Sequence, residues 1–389
     1  MVAFLVVIYI VFISLGLPDS MFGVSWPVVH LDLNVAESFA SLYSIITGVC
    51  SGGASFVAGK VIRKFGTPMV TFVSILLTAI GLVGISFAPN IVVMMFFAVV
   101  MGYGAGAIDT GLNNYVSLHF EARHMSWLHC FWGIGVTVSP LIFSGLLESG
   151  STWRVSYRVV AMLQLAIASL VAVYLKRWRT ADRAETQEET AEAAPGSEKP
   201  NVRAMKGLIP SVLSQGVYCA MEFLVGTWGA TYLVHTYGTD PAEAARWISL
   251  YYGGIMLSRF VSGFLTMRFD DKTMLRLGIG CSFAGMLVLL IPIGPVASVG
   301  LLLIGFGFGP IFPSIIHSVS ERFGERFSAD VTGWHMGGAY ALGFSVQLIF
   351  GYVATATTFR ITPFVLLCAV IVLFLLNETA IRRSRENRR

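Results

Sequence analysis

The chain has 389 residues, of which 55% are apolar, 13% aromatic and 12% charged, with a formal net charge of +4. A charge content near half that of an ordinary soluble domain excludes a soluble enzyme, and the aromatic content excludes a disordered or collagen-like chain. Five cysteines, odd in number, scattered and each in an apolar stretch, form neither a disulfide framework nor a metal-ligand pattern and read as small core residues.

A helix that crosses a membrane needs about 20 mostly apolar residues. Twelve such stretches follow one another: 2–29, 37–59, 69–88, 91–117, 127–148, 155–176, 207–235, 245–267, 272–292, 296–319, 329–353 and 359–377. The first has no basic leader and no small-residue cleavage site, so it reads as a span and not as a signal peptide. It carries Phe12, Gly16, Asp19, Gly23 and Trp26 on one helical stripe. The second ends in the basic loop Gly59–Gly66. The fourth carries a glycine run and then Asp109 and Asn113, four apart and on one face. His129 and Trp132 lie three apart on the fifth. Residues 177–206 are hydrophilic, with six carboxylates between 180 and 200, and read as a linker. The seventh span aligns Gln215, Tyr218, Glu222 and Gly229 on one stripe, with Trp228 also deep in the span. Arg259 lies inside the eighth. After the twelfth comes a basic tail, 379–389.

Charge orients these spans. With the N-terminus inside, 21 of the 26 Lys and Arg fall on inner loops and the tail, four (Arg154, Arg158, Arg246, Arg360) fall outside, and Arg259 is in a helix. The excess predicts cytoplasmic termini in a multi-pass protein of the cell membrane. Trp26, Trp153 and Trp247 near outer helix ends, and Trp127 and Trp178 near inner ones, read as interface anchors.

The halves repeat. Shifted by 203 positions, Met101–Ile108 (MGYGAGAI) falls on Ile304–Ile311 (IGFGFGPI), and Asp19 falls on Glu222. At 204, Gly59, Lys64 and Phe65 fall on Gly263, Arg268 and Phe269. The expected organisation is therefore an all-α membrane protein: a six-helix bundle over 1–176, a linker over 177–206, a second parallel bundle over 207–378 and the tail. That is the arrangement of the major facilitator superfamily, with a solute site near midplane between the halves.

Of 22 carboxylates only Asp19, Asp109 and Glu222 lie well inside spans. An ion at that depth costs roughly 2.5–3.5 kcal/mol, so such groups line cavities, pair or take up protons. A structural ion pair between Glu222 and Arg259 is the plain alternative to a role in binding for those two. Asp109 aligns with Phe312 and has no acidic counterpart in the second half, as suits a coupling site confined to the first.

Several motifs resemble one branch of that superfamily, the fucose:proton symporters and their sugar-transporting relatives. They are Gly16-Leu-Pro-Asp19, Asp109-Thr-Gly-Leu-Asn113-Asn114-Tyr115, Leu128-His129-Cys-Phe-Trp-Gly133, Gly216 to Glu222 followed by Trp228 and Tyr232, and Tyr252 to Arg259. The sequence departs from that pattern at Asn114, where the branch has Pro, at Asp109, where it often has Glu, at Ser258, where it has Gly, and at Arg63, where the superfamily usually has an acid. The resemblance implies that Asp109 is the proton carrier and that Asp19 takes part in coupling and solute contact.

The expected activity is cation symport, of H+ or Na+, with a sugar-like solute by alternating access. Asn113, His129, Trp132, Gln215, Tyr218, Glu222 and Trp228 would line the cavity and Arg259 would be structural or gating. A monomer in the bilayer is expected, without cofactor, metal or nucleic acid. A proton-driven exporter of amphipathic compounds and a non-transporting membrane sensor are the alternatives. No nucleophile constellation is present, and Gly102, Gly104 and Gly106 follow no strand, so a dinucleotide loop is excluded.

Overall fold

The computed structural model describes residues 2–119, 122–189, 205–324 and 328–384. Among these are thirteen α-helices, one 3-10 turn (Phe359–Ile361) and no strand. The helices are α1 (Val2–Asp32), α2 (Phe39–Phe65), α3 (Thr67–Phe87), α4 (Ile91–His119), α5 (Ala122–Glu148), α6 (Trp153–Glu189), α7 (Leu208–Tyr237), α8 (Pro241–Leu265), α9 (Asp271–Val288), α10 (Gly294–Phe308), α11 (Ile311–Phe323), α12 (Ser328–Ala356) and α13 (Thr362–Ser384).

Each expected span is helical. The tenth is two helices, α10 and α11, because Pro310 has no N–H to give and interrupts the ladder after Gly309. Nine spans among the described residues are long and apolar enough to cross a membrane, or ten with the pair Phe39–Ser55 and Val57–Phe65, bent by 52°. α8, with Arg259 in mid-span, and α9, whose 18 residues include Asp271, Lys272 and Arg276, are outside that count. α6 runs on to Glu189, into the stretch read as linker, because Lys176–Glu189 is rich in helix-forming residues. The rest of that linker, 190–204, lies outside the described residues.

The chain divides into two compact units, Met1–Glu198 and Lys199–Arg389. In the first, α1 packs on α5, α4 on α2 and α3, and α3 on α6. In the second, α7 packs on α12, α10 on α8 and α9, and α9 on α13, so each pairing has its counterpart at the repeat offset. The repeated glycines do equivalent work. A Cβ on Gly102 or Gly106 would overlap the backbone of α2 and one on Gly104 that of α3; a Cβ on Gly305 or Gly309 would overlap α8 and one on Gly307 α9. Between membrane helices, where lipid removes the usual hydrophobic drive, such close backbone approach supplies van der Waals contact that helps drive association.

Two prolines inside helices each leave a carbonyl without its helical donor, and another helix supplies one. Pro18 leaves the Ser14 carbonyl, which accepts from Gln164 Nε2 of α6 at 2.5 Å. Pro140 leaves the Val136 carbonyl, which accepts from Ser20 Oγ of α1 at 2.9 Å. Trp26, Trp153 and Trp178 are fully buried inside the first unit, which corrects their reading as interface anchors. Trp26 Nε1 donates to the Glu37 carbonyl of the loop after α1 at 2.9 Å, and Trp153 Nε1 to Asp32 Oδ2 at the end of α1 at 3.1 Å.

Candidate functional site

The first unit's polar groups are positioned by the crossing of α1 and α5. Cβ atoms on Gly16 or Gly135 would overlap the opposite backbone, so the two helices touch main chain to main chain there. One turn beyond Gly16, Asp19 is exposed, and its Oδ2 accepts from Trp132 Nε1 at 2.8 Å. Asp19 is therefore the open position of its stripe: Phe12, Gly16, Gly23 and Trp26 are all buried. His129, one turn before Trp132, is half-buried with its ring edge-on to Phe12 at 5.9 Å.

On α4, Asp109 and Asn113 are both half-buried. Asn113 Nδ2 donates to Asp109 Oδ1 at 2.8 Å and to the Asp109 carbonyl at 2.9 Å. The neighbouring Ile108 and Leu112 belong to the core of the unit, together with Phe12 and Tyr115. Among the described residues no basic side chain lies within ion-pair distance of Asp109, so a neutral amide is its partner. A carboxyl in this setting can take up a proton without breaking an ion pair.

The second unit treats its acid differently. Glu222 Oε1 lies 3.7 Å from Arg259 Nη2 of α8, with side chains 13% and 9% exposed. Gln215 and Tyr218 are fully buried on the same stripe of α7. Gln215 Nε2 donates weakly to Cys219 Sγ at 3.7 Å, and its Oε1 has no hydrogen-bond partner. The Tyr218 ring packs on Phe308 and Phe312, on either side of the α10–α11 break. Its hydroxyl meets no hydrogen-bond geometry, and Glu222 and Arg259 are its charged neighbours.

Trp228 stands apart from this group. It is fully buried, with its ring against Phe350 and Phe359, well beyond the Glu222 turn. Sequence reasoning missed Tyr251, whose hydroxyl donates to the Glu222 carbonyl at 3.4 Å. Its spacing of eight from Arg259, two helical turns on one face, was a usable signal. It also left aside His335, fully buried, which joins Ser211 Oγ of α7 and the Val331 carbonyl, both at 2.8 Å. Among the described residues no group of His, Cys, Asp and Glu could hold a metal ion.

Comparison with known proteins adds four findings. The family model described as Major Facilitator Superfamily matches residues 8–348. The Glucose/mannose transporter GlcP of Bacillus subtilis (strain 168) is 21% identical over 337 residues, 84% of this chain and 81% of the relative. The Multidrug efflux pump SdrM of Staphylococcus aureus (strain N315) is 25% identical over 170 residues, 43% of this chain and 37% of the relative. A solved mutant of the nucleoside transporter NupG matches with a TM-score of 0.73 at 14% identity, over 96% of this chain and 98% of that one, a likeness of fold alone.

Proposed function

The chain belongs to the major facilitator superfamily, and from that premise we propose that it carries a sugar-like solute across the cell membrane by cation-coupled symport. The observation that carries the coupling half of this reading is the Asp109–Asn113 pair: an acid deep in a span, held by an amide and, among the described residues, by no cation. Asp109 gains and loses a proton as the bundles rock about the site. In its protonated form the acid donates, and in its ionised form it accepts from Asn113. Na+ at Asp109 or Asp19 is the competing coupling ion.

The solute half rests on the two polar clusters and on the similarity to GlcP, a glucose/mannose transporter. Asp19 and Trp132 together offer a hydroxyl acceptor and a ring face, His129 lies one turn before Trp132 on α5, and Asn113 stands with Asp109 on α4. In the second unit Gln215, Tyr218 and Glu222 offer acceptors and a hydroxyl, and Arg259 holds Glu222 in place. We assign Trp228 to packing around Phe350 and Phe359. The working unit is a monomer with both termini in the cytoplasm.

A second reading, a proton-driven exporter of amphipathic compounds, is favoured by the partial match to SdrM. Uptake of labelled hexoses into proteoliposomes, with and without a proton gradient, and with lipophilic cations as competitors, separates the two. Hexose accumulation that collapses with the gradient supports symport. Gradient-driven extrusion of the cations, with no hexose uptake, supports the exporter.

A further inference from the structure

A recess of about 340 Å³ opens where the second unit's first and last helices meet, lined by Met205, Lys206, Gly207, Ile209, Pro210 and Arg383. Its two charged residues are both cations, and both are exposed. The turn before α7 brings them together. Gly207 has φ +84°, and a Cβ there would lie 2.9 Å from the Ala380 carbonyl and 3.0 Å from the Ser384 nitrogen, so only glycine lets this turn sit so tightly against the end of α13. The contact holds Lys206 and Arg383 on one rim.

The rest of the lining is apolar: Met205, Pro210 and Ile209, the last 66% exposed. The recess also lies at the ends of two membrane spans, Leu208–Tyr237 and Phe359–Ser384, on the side that carries 21 of the 26 basic residues. Cations above exposed apolar side chains at the edge of the hydrocarbon layer match the chemistry of one class of molecule. We propose that this recess is a binding site for an anionic phospholipid. Its phosphate sits between Lys206 and Arg383, and its acyl chains run along Ile209 and Met205. Gly207 gives α7 no side-chain cap, so the positive end of the helix dipole adds to the attraction. This inference is independent of the solute and the coupling ion.

The test uses the full chain purified in detergent. Thermal unfolding is followed while phosphatidylglycerol or phosphatidylcholine is added, and bound lipid is counted by native mass spectrometry. The account expects phosphatidylglycerol to bind and to raise the melting temperature more than phosphatidylcholine. Lys206→Gln or Arg383→Gln should weaken its binding about fivefold, and the pair about twenty-five-fold. A control pair of equal charge change, Lys60→Gln with Lys64→Gln, should leave binding unchanged, and Lys206→Arg should retain it. Equal loss in both pairs would show diffuse attraction and overturn the site. So would equal protection by inorganic phosphate, which would make the ligand a free anion. If phosphatidylglycerol acts only after Glu188, Glu189, Glu192 and Glu198 are changed to Gln, the recess belongs to the chain's own acidic linker and the proposal fails.

Discussion

Asn113 gives both of its amide hydrogens to Asp109, one to the carboxylate at 2.8 Å and one to the backbone carbonyl at 2.9 Å. The acid of the other unit, Glu222, faces a guanidinium at 3.7 Å. The repeat thus produces two bundles with matching helix contacts and unequal electrostatics. An acid bonded to an amide tolerates both protonation states, whereas an acid paired with Arg259 would leave a buried cation behind on protonation. The proposed function places coupling in the first unit on the ground of this inequality.

Glu222 and Arg259 should therefore behave as a pair. Glu222→Gln alone strands a buried guanidinium and should cost about 3 kcal/mol. Combining it with Arg259→Met removes both charges and should recover most of that loss. Thermal unfolding of the single and double variants in one detergent checks this. Equal stability of Glu222→Gln and the parent, with solute binding lost, would assign Glu222 to the solute and not to the pair.

The α1–α5 crossing depends on two glycines, so Gly16→Ala and Gly135→Ala should each lower stability by about 1–3 kcal/mol, because the added methyl meets backbone that cannot rotate away. Both should also impair transport, since the same contact sets the Asp19–Trp132 bond. Gly145→Ala, on α5 with open space around its Cα, is the neutral control. Melting temperatures and uptake measured on the same preparations report both effects.

Asp270 caps α9. The Thr273 hydroxyl and the Thr273 backbone N–H, the latter at 3.0 Å, hold its carboxyl below the usual carboxylate range. A folded value below the unfolded one means that the contribution is present above about pH 4 and fades as pH falls through the folded value. Asp270→Ala should cost about 1 kcal/mol at neutral pH and less in acid. Asp270→Asn should cap without that pH dependence. Unfolding across an acid pH series separates the three proteins.

The charge asymmetry makes a topological prediction. A cysteine introduced at position 190 should react with a membrane-impermeant maleimide only after the cells are opened. Reaction in intact cells would contradict the proposed orientation.

Much of this was legible because membrane helices write their lengths and close contacts into the sequence. Apolar runs located twelve stretches that are all helical, and the glycine run that aligned the halves proved to be a helix contact inside each unit. The stripe Gln215–Tyr218–Glu222 came from helical period alone, and so did Asp109 with Asn113. What stayed hidden depends on which helices cross. Gln164 donating to Ser14 and Ser20 donating to Val136 answer prolines in α1 and α5, and no local pattern names the donor. The burial of Trp26 and Trp153 was missed for a related reason: position along a span predicts depth in the bilayer and not which way a ring faces. The break at Gly309–Pro310 was visible, but Gly309 was read only as part of the repeat.

The central claim is that Asp109 couples solute movement to a proton, and the most direct measurement is transport by Asp109→Asn in proteoliposomes. Asparagine imitates the protonated acid at nearly the same size. The account predicts that this variant exchanges labelled solute for unlabelled solute across the membrane as the parent does, yet no longer accumulates solute when a proton gradient is imposed. Accumulation against a solute gradient by Asp109→Asn, driven by protons, would contradict it.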